Sequence, residues 1–244
     1  QSMVAESWIS PEDWYQTNLL SNVKMFKILQ SYKHLKKYIH ISTPEVFGSS
    51  KLIKENNIFS PSTPYSLSRS ACDQHLLLLF KNFNFPVCFT RSSNVFGPGQ
   101  QLYRIVPKTI LYCLNSKKLP LHGGGLSRRS FINIADVCDA TFKIAKKGKF
   151  GQSYNISTNK YVSIKSIVLK ICKLLSFDPD DLILKSHDRI GKDQFYQMSS
   201  SKIRSELDWN DKISLDIGLN NTINWIKQNI DYFNKEPLFY RHKK

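Results

Sequence analysis

The stretch Lys36-Lys37-Tyr38-Ile39-His40-Ile41-Ser42 is short, β-branched and aromatic, and it reads as a strand. A second run of the same kind is Phe85-Pro86-Val87-Cys88-Phe89-Thr90-Arg91. Between them, Tyr65 to Phe83 places Leu67, Ala71, Leu76, Leu77 and Phe80 on approximately one helical face. Strand, helix and strand in that order form a crossover, which implies parallel pairing and a layered α/β fold. Upstream, Pro11 to Tyr32 repeats the helical pattern with Trp14, Leu19, Val23, Phe26, Ile28 and Leu29. Downstream, Ser130 to Ile134 reads as a strand, Ala135 to Lys146 as a helix and Ser153 to Ser157 as a further strand. Ser163 to Leu175 and Leu215 to Ile230 then read as amphipathic helices. Pro98 to Arg129 interrupts the alternation. It has one helix, about Ile105 to Asn115, between Gly, Pro and Ser clusters and Gly123-Gly124-Gly125, and reads as an excursion from the sheet.

With 244 residues and 41% hydrophobic content, the chain can bury one large core or two modest ones, which excludes disorder. Thirty-five Lys and Arg against 19 Asp and Glu give a net charge of +16, suited to a polyanion or a phosphorylated ligand. The basic residues are spread as Lys pairs over many helices and the tail Arg241-His242-Lys243-Lys244. They read as a solvated surface, so nucleic acid is not the expected partner. Five cysteines, odd in number and irregularly spaced, point to a reducing cytoplasm and against structural zinc. His34, His75 and His187 lack metal-ligand spacing, so no metal is expected. The longest apolar run, Leu76 to Phe80, is far below the ~20 residues of a membrane span.

Three segments are expected to meet where strands end, which is where open α/β sheets place their ligands. They are Ser42-Thr43-Pro44-Glu45-Val46-Phe47-Gly48, Pro61-Ser62-Thr63-Pro64-Tyr65-Ser66-Leu67-Ser68-Arg69, and Arg91-Ser92-Ser93-Asn94-Val95-Phe96-Gly97-Pro98-Gly99-Gln100. In the second, Tyr65 and Arg69 stand four residues apart on a helix, hence on one face. Further motifs are Ala5-Glu6-Ser7, Thr17-Asn18, Leu119-Pro120-Leu121-His122-Gly123, Tyr154-Asn155-Ile156, Ser201-Lys202-Ile203 and Leu207-Asp208-Trp209. Together these resemble the extended short-chain dehydrogenase/reductase family, and within it the nucleotide-sugar 4,6-dehydratases that act on dTDP-glucose and its relatives.

The resemblance implies a Rossmann-type doubly wound parallel sheet whose N-terminal βαβ units are missing, joined to a smaller α+β substrate-binding domain. Residues 1–98 and 130–158 would form the first, and residues 99–129 and 159–244 the second. It implies NAD, oxidation of a sugar at C4, loss of the C5 proton with the C6 hydroxyl, and return of hydride at C6. Tyr65 would be the base for the C4 hydroxyl, Thr43 would bond the C4 oxygen, and Glu45 would take the C5 proton. Arg69 stands where Lys is usual. A positive charge ~4 Å away at an effective dielectric of ~20 contributes about 4 kcal/mol, which would bring the Tyr65 phenol toward neutrality. Ala5, Ser42 and Ser93 would join Tyr65 and Arg69 around NAD. Glu6, Asn94, Arg104, Arg129, Asn155, Arg189 and Tyr196 would face the substrate, and Pro120 and His122 would wall its base. A homodimer through the helices holding Trp14 to Gln30 and Tyr65 to Phe83 is also implied.

Three further departures stand out. Pro44 occupies the place of an Asp that donates a proton to the leaving hydroxyl, and proline has none to give. Lys192 replaces a common His. No GxGxxG or GxxGxxG links a strand to a helix, so the first strands are expected upstream and the chain as given is expected to bind NAD poorly. Two alternatives accompany the dehydratase reading: a nucleotide-sugar 4-epimerase using the same Tyr, and a noncatalytic basic relative that binds RNA.

Overall fold

The computed structural model describes residues 1–48, 50–186 and 196–242. Its centre is a parallel sheet of β1 (Tyr38–Ile41), β3 (Val87–Ser92) and β8 (Ser153–Ile156), in the order β1-β3-β8. A one-turn 3-10 helix, Pro44–Phe47, and β2 (Ser50–Ile53) follow β1. The chain then crosses over through α3 (Pro64–Phe83), whose start is written in its sequence. Thr63 Oγ1 accepts from Ser66 N, Ser66 Oγ accepts from Thr63 N, and Pro64 occupies a position that needs no amide donor. Asn84, at φ 52°, ends the helix in the left-handed region. The helix that reads as Pro11 to Tyr32 is α1 (Pro11–Tyr15) and α2 (Ser21–Gln30), joined by a π-helical turn at Gln16–Leu20.

Alternation along β3 sorts its residues to two faces. Val87 and Phe89 pack with Phe26, Cys72, Leu76 and Leu79 under α3, whereas Cys88 faces the opposite layer. That second layer contains β4 (Asn94–Phe96), β7 (Phe131–Asn133) and α5 (Ile134–Lys147), and its core joins Ile132, Ala140, Ile144, Tyr154 and Ile156. Helices on both faces of a parallel sheet are the doubly wound arrangement expected. Ile203, Leu207 and Trp209, from α8 (Ser201–Leu207) and just after it, pack in this same core, although they lie beyond residue 159.

A third core belongs to the excursion and the C-terminal part. It gathers Val106, Ile110 and Leu111 of α4 (Ile105–Leu114), Leu119 and Leu121 of β5 (Leu119–His122), Ile167, Val168 and Ile171 of α6 (Ile164–Leu175), Leu182 of α7 (Pro179–Leu182), and Leu219, Ile223 and Ile226 of α9 (Leu215–Gln228). Phe96 and Phe131 reach into it from the sheet layer. Small strand pairs complete the fold: β6 (Arg128–Arg129) runs antiparallel to β9 (Val162–Ser163), β10 (Ile183–Ser186) parallel to β5, and β11 (Tyr196–Met198) parallel to β2. These short pairs lie outside the strands read from the sequence. Gly125 is required at its turn, where φ is +68° and a Cβ would stand 2.9 Å from both Leu121 and the Lys165 backbone.

The C-terminal tail returns to the N-terminal helices. The His242 ring stacks on Trp14 with centroids 5.1 Å apart, and its Nε2 lies 2.6 Å from Asp13 Oδ2. Among the described residues no helix is long and apolar enough to cross a membrane, and no group of His, Cys, Asp and Glu is placed to hold a metal ion.

Candidate active site

Thr43 lies two residues past the end of β1 and caps the Pro44–Phe47 turn, its Oγ1 accepting from Glu45 N at 3.4 Å. Tyr65 is the second residue of α3. The Thr43 hydroxyl and the charges of Glu45, Arg69 and Arg104 all act on the Tyr65 phenol. Residues from two ends of a crossover and from the start of α4 thus share one locus.

The balance of these influences corrects one expectation. Burial, and after it the Glu45 carboxylate, hold the Tyr65 phenol above its ordinary pKa, outweighing the Thr43 hydroxyl and the two guanidinium groups. A single cation does not set the phenol alone once burial and the neighbouring anion act on it. Arg69 is moreover engaged elsewhere, because its Nη2 donates to the Ile41 carbonyl. Arg104 stands just before α4 and donates to Ser2 Oγ at 3.0 Å. Near the start of the chain, Ala5 is exposed, while Glu6 has a buried Oε2 with no hydrogen-bond donor among the described residues.

The remaining site residues fall into distinct places. Asn94 N donates to the Ser130 carbonyl at 3.1 Å, and Asn94 pairs with Phe131 of β7, shortly after Arg129 in the chain. Arg129 is buried and its Nη1 donates to the Arg128 carbonyl at 2.8 Å. Pro120 is exposed on β5, and His122 Nδ1 lies 3.1 Å from Ser186 Oγ. Three side chains turn into the protein. Ser42 Oγ donates to Asp73 at 2.7 Å, Ser93 Oγ donates to Ser130 Oγ at 3.4 Å, and the fully buried Asn155 donates from Nδ2 to the Ile53 carbonyl at 3.2 Å. Arg189 and Lys192 lie outside the described residues, and Tyr196 is described as the first residue of β11, opposite Ser50.

Beneath the site lies a buried charge network that the sequence reading missed. Asp73, with no exposed surface, stands 2.7 Å from Arg91 Nη2 and 3.2 Å from His40 Nε2, and also accepts from Ser42. Burial opposes its charge, but His40, Arg91 and Ser42 together hold its carboxyl below the ordinary range. Burial holds the His40 pKa below its ordinary value in spite of the carboxylate. The available signal was spacing, since Asp73 is eight residues beyond Tyr65 and therefore near the same helix face.

The donor set at this locus suits the ribose end of a dinucleotide: the Tyr65 hydroxyl and the Arg69 guanidinium stand four residues apart on one helix face, and both can bond ribose hydroxyls. Among the described residues no glycine-rich turn leads from a strand straight into a helix, so these residues do not supply a pyrophosphate cradle.

Comparison with known proteins bears on the family and the fold. The family model described as GDP-mannose 4,6 dehydratase matches residues 1–222. The human dTDP-D-glucose 4,6-dehydratase is 34% identical over 218 residues, covering 85% of this chain and 62% of the human protein. A trifunctional UDP-glucose 4,6-dehydratase/UDP-4-keto-6-deoxy-D-glucose 3,5-epimerase/UDP-4-keto-L-rhamnose-reductase of Arabidopsis thaliana is 29% identical, covering 96% of this chain and 35% of its own length. The chain thus spans less than two thirds of these relatives. The crystal structure of dTDP-glucose 4,6-dehydratase from Bacillus anthracis in complex with NAD superposes with a TM-score of 0.84 at 32% identity, over 89% of this chain and 70% of that one. The UDP-glucuronic acid 4-epimerase of Bacillus cereus, in complex with UDP-glucuronic acid and NAD, gives 0.86 at 26% identity, over 93% and 73%. With most of its length matched by one family model and its crossover carrying Thr43, Glu45 and Tyr65 to a single place, this chain belongs to the GDP-mannose 4,6 dehydratase family.

Proposed function

We propose that this chain carries the catalytic segment of an NAD-dependent nucleotide-sugar 4,6-dehydratase, a lyase of the extended short-chain dehydrogenase/reductase type. The observation that carries this reading is the meeting of Thr43, Glu45 and Tyr65 around one phenol. When bound, NAD supplies a hydride acceptor for C4 and later a donor for C6. Tyr65 takes the proton of the C4 hydroxyl while Thr43 orients that oxygen. The ketone at C4 makes the C5 proton acidic, and Glu45 removes it. The C5=C6 bond forms as the C6–O bond breaks, and the hydroxyl leaves as water. Because Pro44 has no proton, that proton comes from the newly protonated Glu45 or from solvent.

On the substrate side, Arg129 and Asn94 suit the diphosphate, since a guanidinium fork matches phosphate oxygens. Arg189 and Tyr196 join them by resemblance, and Pro120 and His122 suit the base. Exposed Leu20, Ile28, Leu67 and Leu78 on the helices from α1 to α3 support homodimerisation through those helices, which light scattering of the whole gene product would test. Five free cysteines suit a reducing, cytoplasmic setting.

The test is incubation of the whole gene product with UDP-, dTDP-, GDP- and CDP-sugars. A product lighter by one water supports the dehydratase, and an unchanged mass with inverted C4 supports the epimerase. The epimerase reading draws on Pro44 and on the fold shared with the Bacillus cereus epimerase.

A further inference from the structure

We propose that Asp73 is a positioning residue for this site: it grips the turn carrying Thr43 and Glu45 at both ends and holds it against Tyr65. The inference rests on the reading of that site as catalytic.

The first grip is direct. Ser42 Oγ donates to Asp73 Oδ2 at 2.7 Å, and Ser42 is the residue before Thr43. The second runs through Arg91, whose Nη2 bonds Asp73 Oδ2 at 2.7 Å and whose guanidinium carbon lies 4.8 Å from the Phe47 ring centroid. Phe47 closes the Pro44–Phe47 turn. Asp73 and Tyr65 share α3, so the contacts form a closed ring: Tyr65 to Thr43, Thr43 to Ser42 along the backbone, Ser42 to Asp73, and back along the helix. A turn held at one point can swing, whereas one held at both ends and touched in the middle keeps its register. Apolar side chains of similar volume would fill this buried space without the desolvation penalty of a charged pair, so packing alone does not account for a carboxylate here. His40, 3.2 Å from Oδ1, completes its surroundings on β1.

The test places 3-fluorotyrosine at position 65 of the whole gene product, with a control probe at position 154, and follows both by fluorine NMR against pH. Ser42→Ala, Asp73→Asn and the double variant Asp73→Leu/Arg91→Met are compared with the parent, all retaining Glu45, Arg69 and Arg104. Loosening the turn so that the Thr43 hydroxyl moves off the phenol is expected to raise the titration midpoint at 65 by ~0.5 unit or more, with position 154 unmoved. Adding Thr43→Val to Ser42→Ala is expected to give no further rise. The double variant is expected to recover the parent's melting temperature but not its midpoint at 65, and kcat is expected to fall more than KM rises. An unmoved midpoint at 65 in folded Ser42→Ala and Asp73→Asn, or a double variant that recovers both properties, overturns the proposal. Absence of turnover in the parent would overturn the dehydratase reading alone, because the fluorine titration decides the positioning role without it.

Discussion

Arg69 donates from its guanidinium to the backbone carbonyl of Ile41, the last residue of β1. A side chain one turn beyond Tyr65 thus ties α3 to the strand that leads into Thr43.

Arg69 is expected to matter through its charge first and its fork second. Arg69→Met removes a cation that draws the Tyr65 phenol down, and C4 oxidation is expected to slow by ~10²-fold or more. Arg69→Lys keeps the charge and should stay within about 10-fold of the parent. Because the phenol sits above its ordinary value of 10.0, the ionised fraction rises roughly tenfold per pH unit across pH 7 to 9. Single-turnover rates of the first hydride transfer, plotted against pH, should therefore climb with a slope near one over that range, and a flat profile would refute the assignment of Tyr65 as base.

Glu45→Gln is expected to separate the two halves of the reaction. Elimination of water should fall by about 10²- to 10⁴-fold, whereas hydride exchange at C4 should persist. Deuterium uptake at C5 from heavy water, read by mass spectrometry, checks this directly.

The buried network gives folding stability a defined pH dependence. His40 has a folded pKa below its unfolded value, so the unfolded chain binds the extra proton as pH drops below ~6.5, and stability falls. Asp73 has a folded pKa below its unfolded value, so its contribution is present above ~4 and is lost as pH falls through the folded value. Denaturant midpoints should thus decline first near pH 6 and again below pH 4. His40→Gln should flatten the first decline and also weaken the second, because His40 is one of the groups that hold the Asp73 carboxyl down.

Trp209 has no exposed surface and its Nε1 donates to the Asp136 carbonyl at 3.3 Å. Trp209→Ala should cost about 3–5 kcal/mol in urea unfolding, because it opens a cavity in the core shared by α5 and α8 and leaves a buried carbonyl without that donor.

What was legible in the sequence was what repeats over many residues. The helix from Pro64 to Phe83 runs for twenty residues behind a cap of Thr63 and Pro64, and β1 and β3 are dense in β-branched and aromatic side chains. The meeting of Thr43, Glu45 and Tyr65 followed from placing each next to a strand end or helix start. The elevated Tyr65 phenol did not follow, because burial depends on what covers a residue in space. Nor did the partnership of Asp73, Arg91 and His40, since each comes from a different element and a carboxylate in mid-helix reads as a surface charge. Strands such as β6 and β9 exist through their pairing, which no window along one segment contains.

Tyr65, Arg69 and Asp73 recur at intervals of four, so one helix carries the phenol, its cation and the buried anchor in line. Adding or deleting a single codon between the first and the last would rotate one end relative to the other by roughly 100°. The gene can therefore exchange letters along the outward side of this interval but cannot alter its length, and natural variants should show substitutions there without indels.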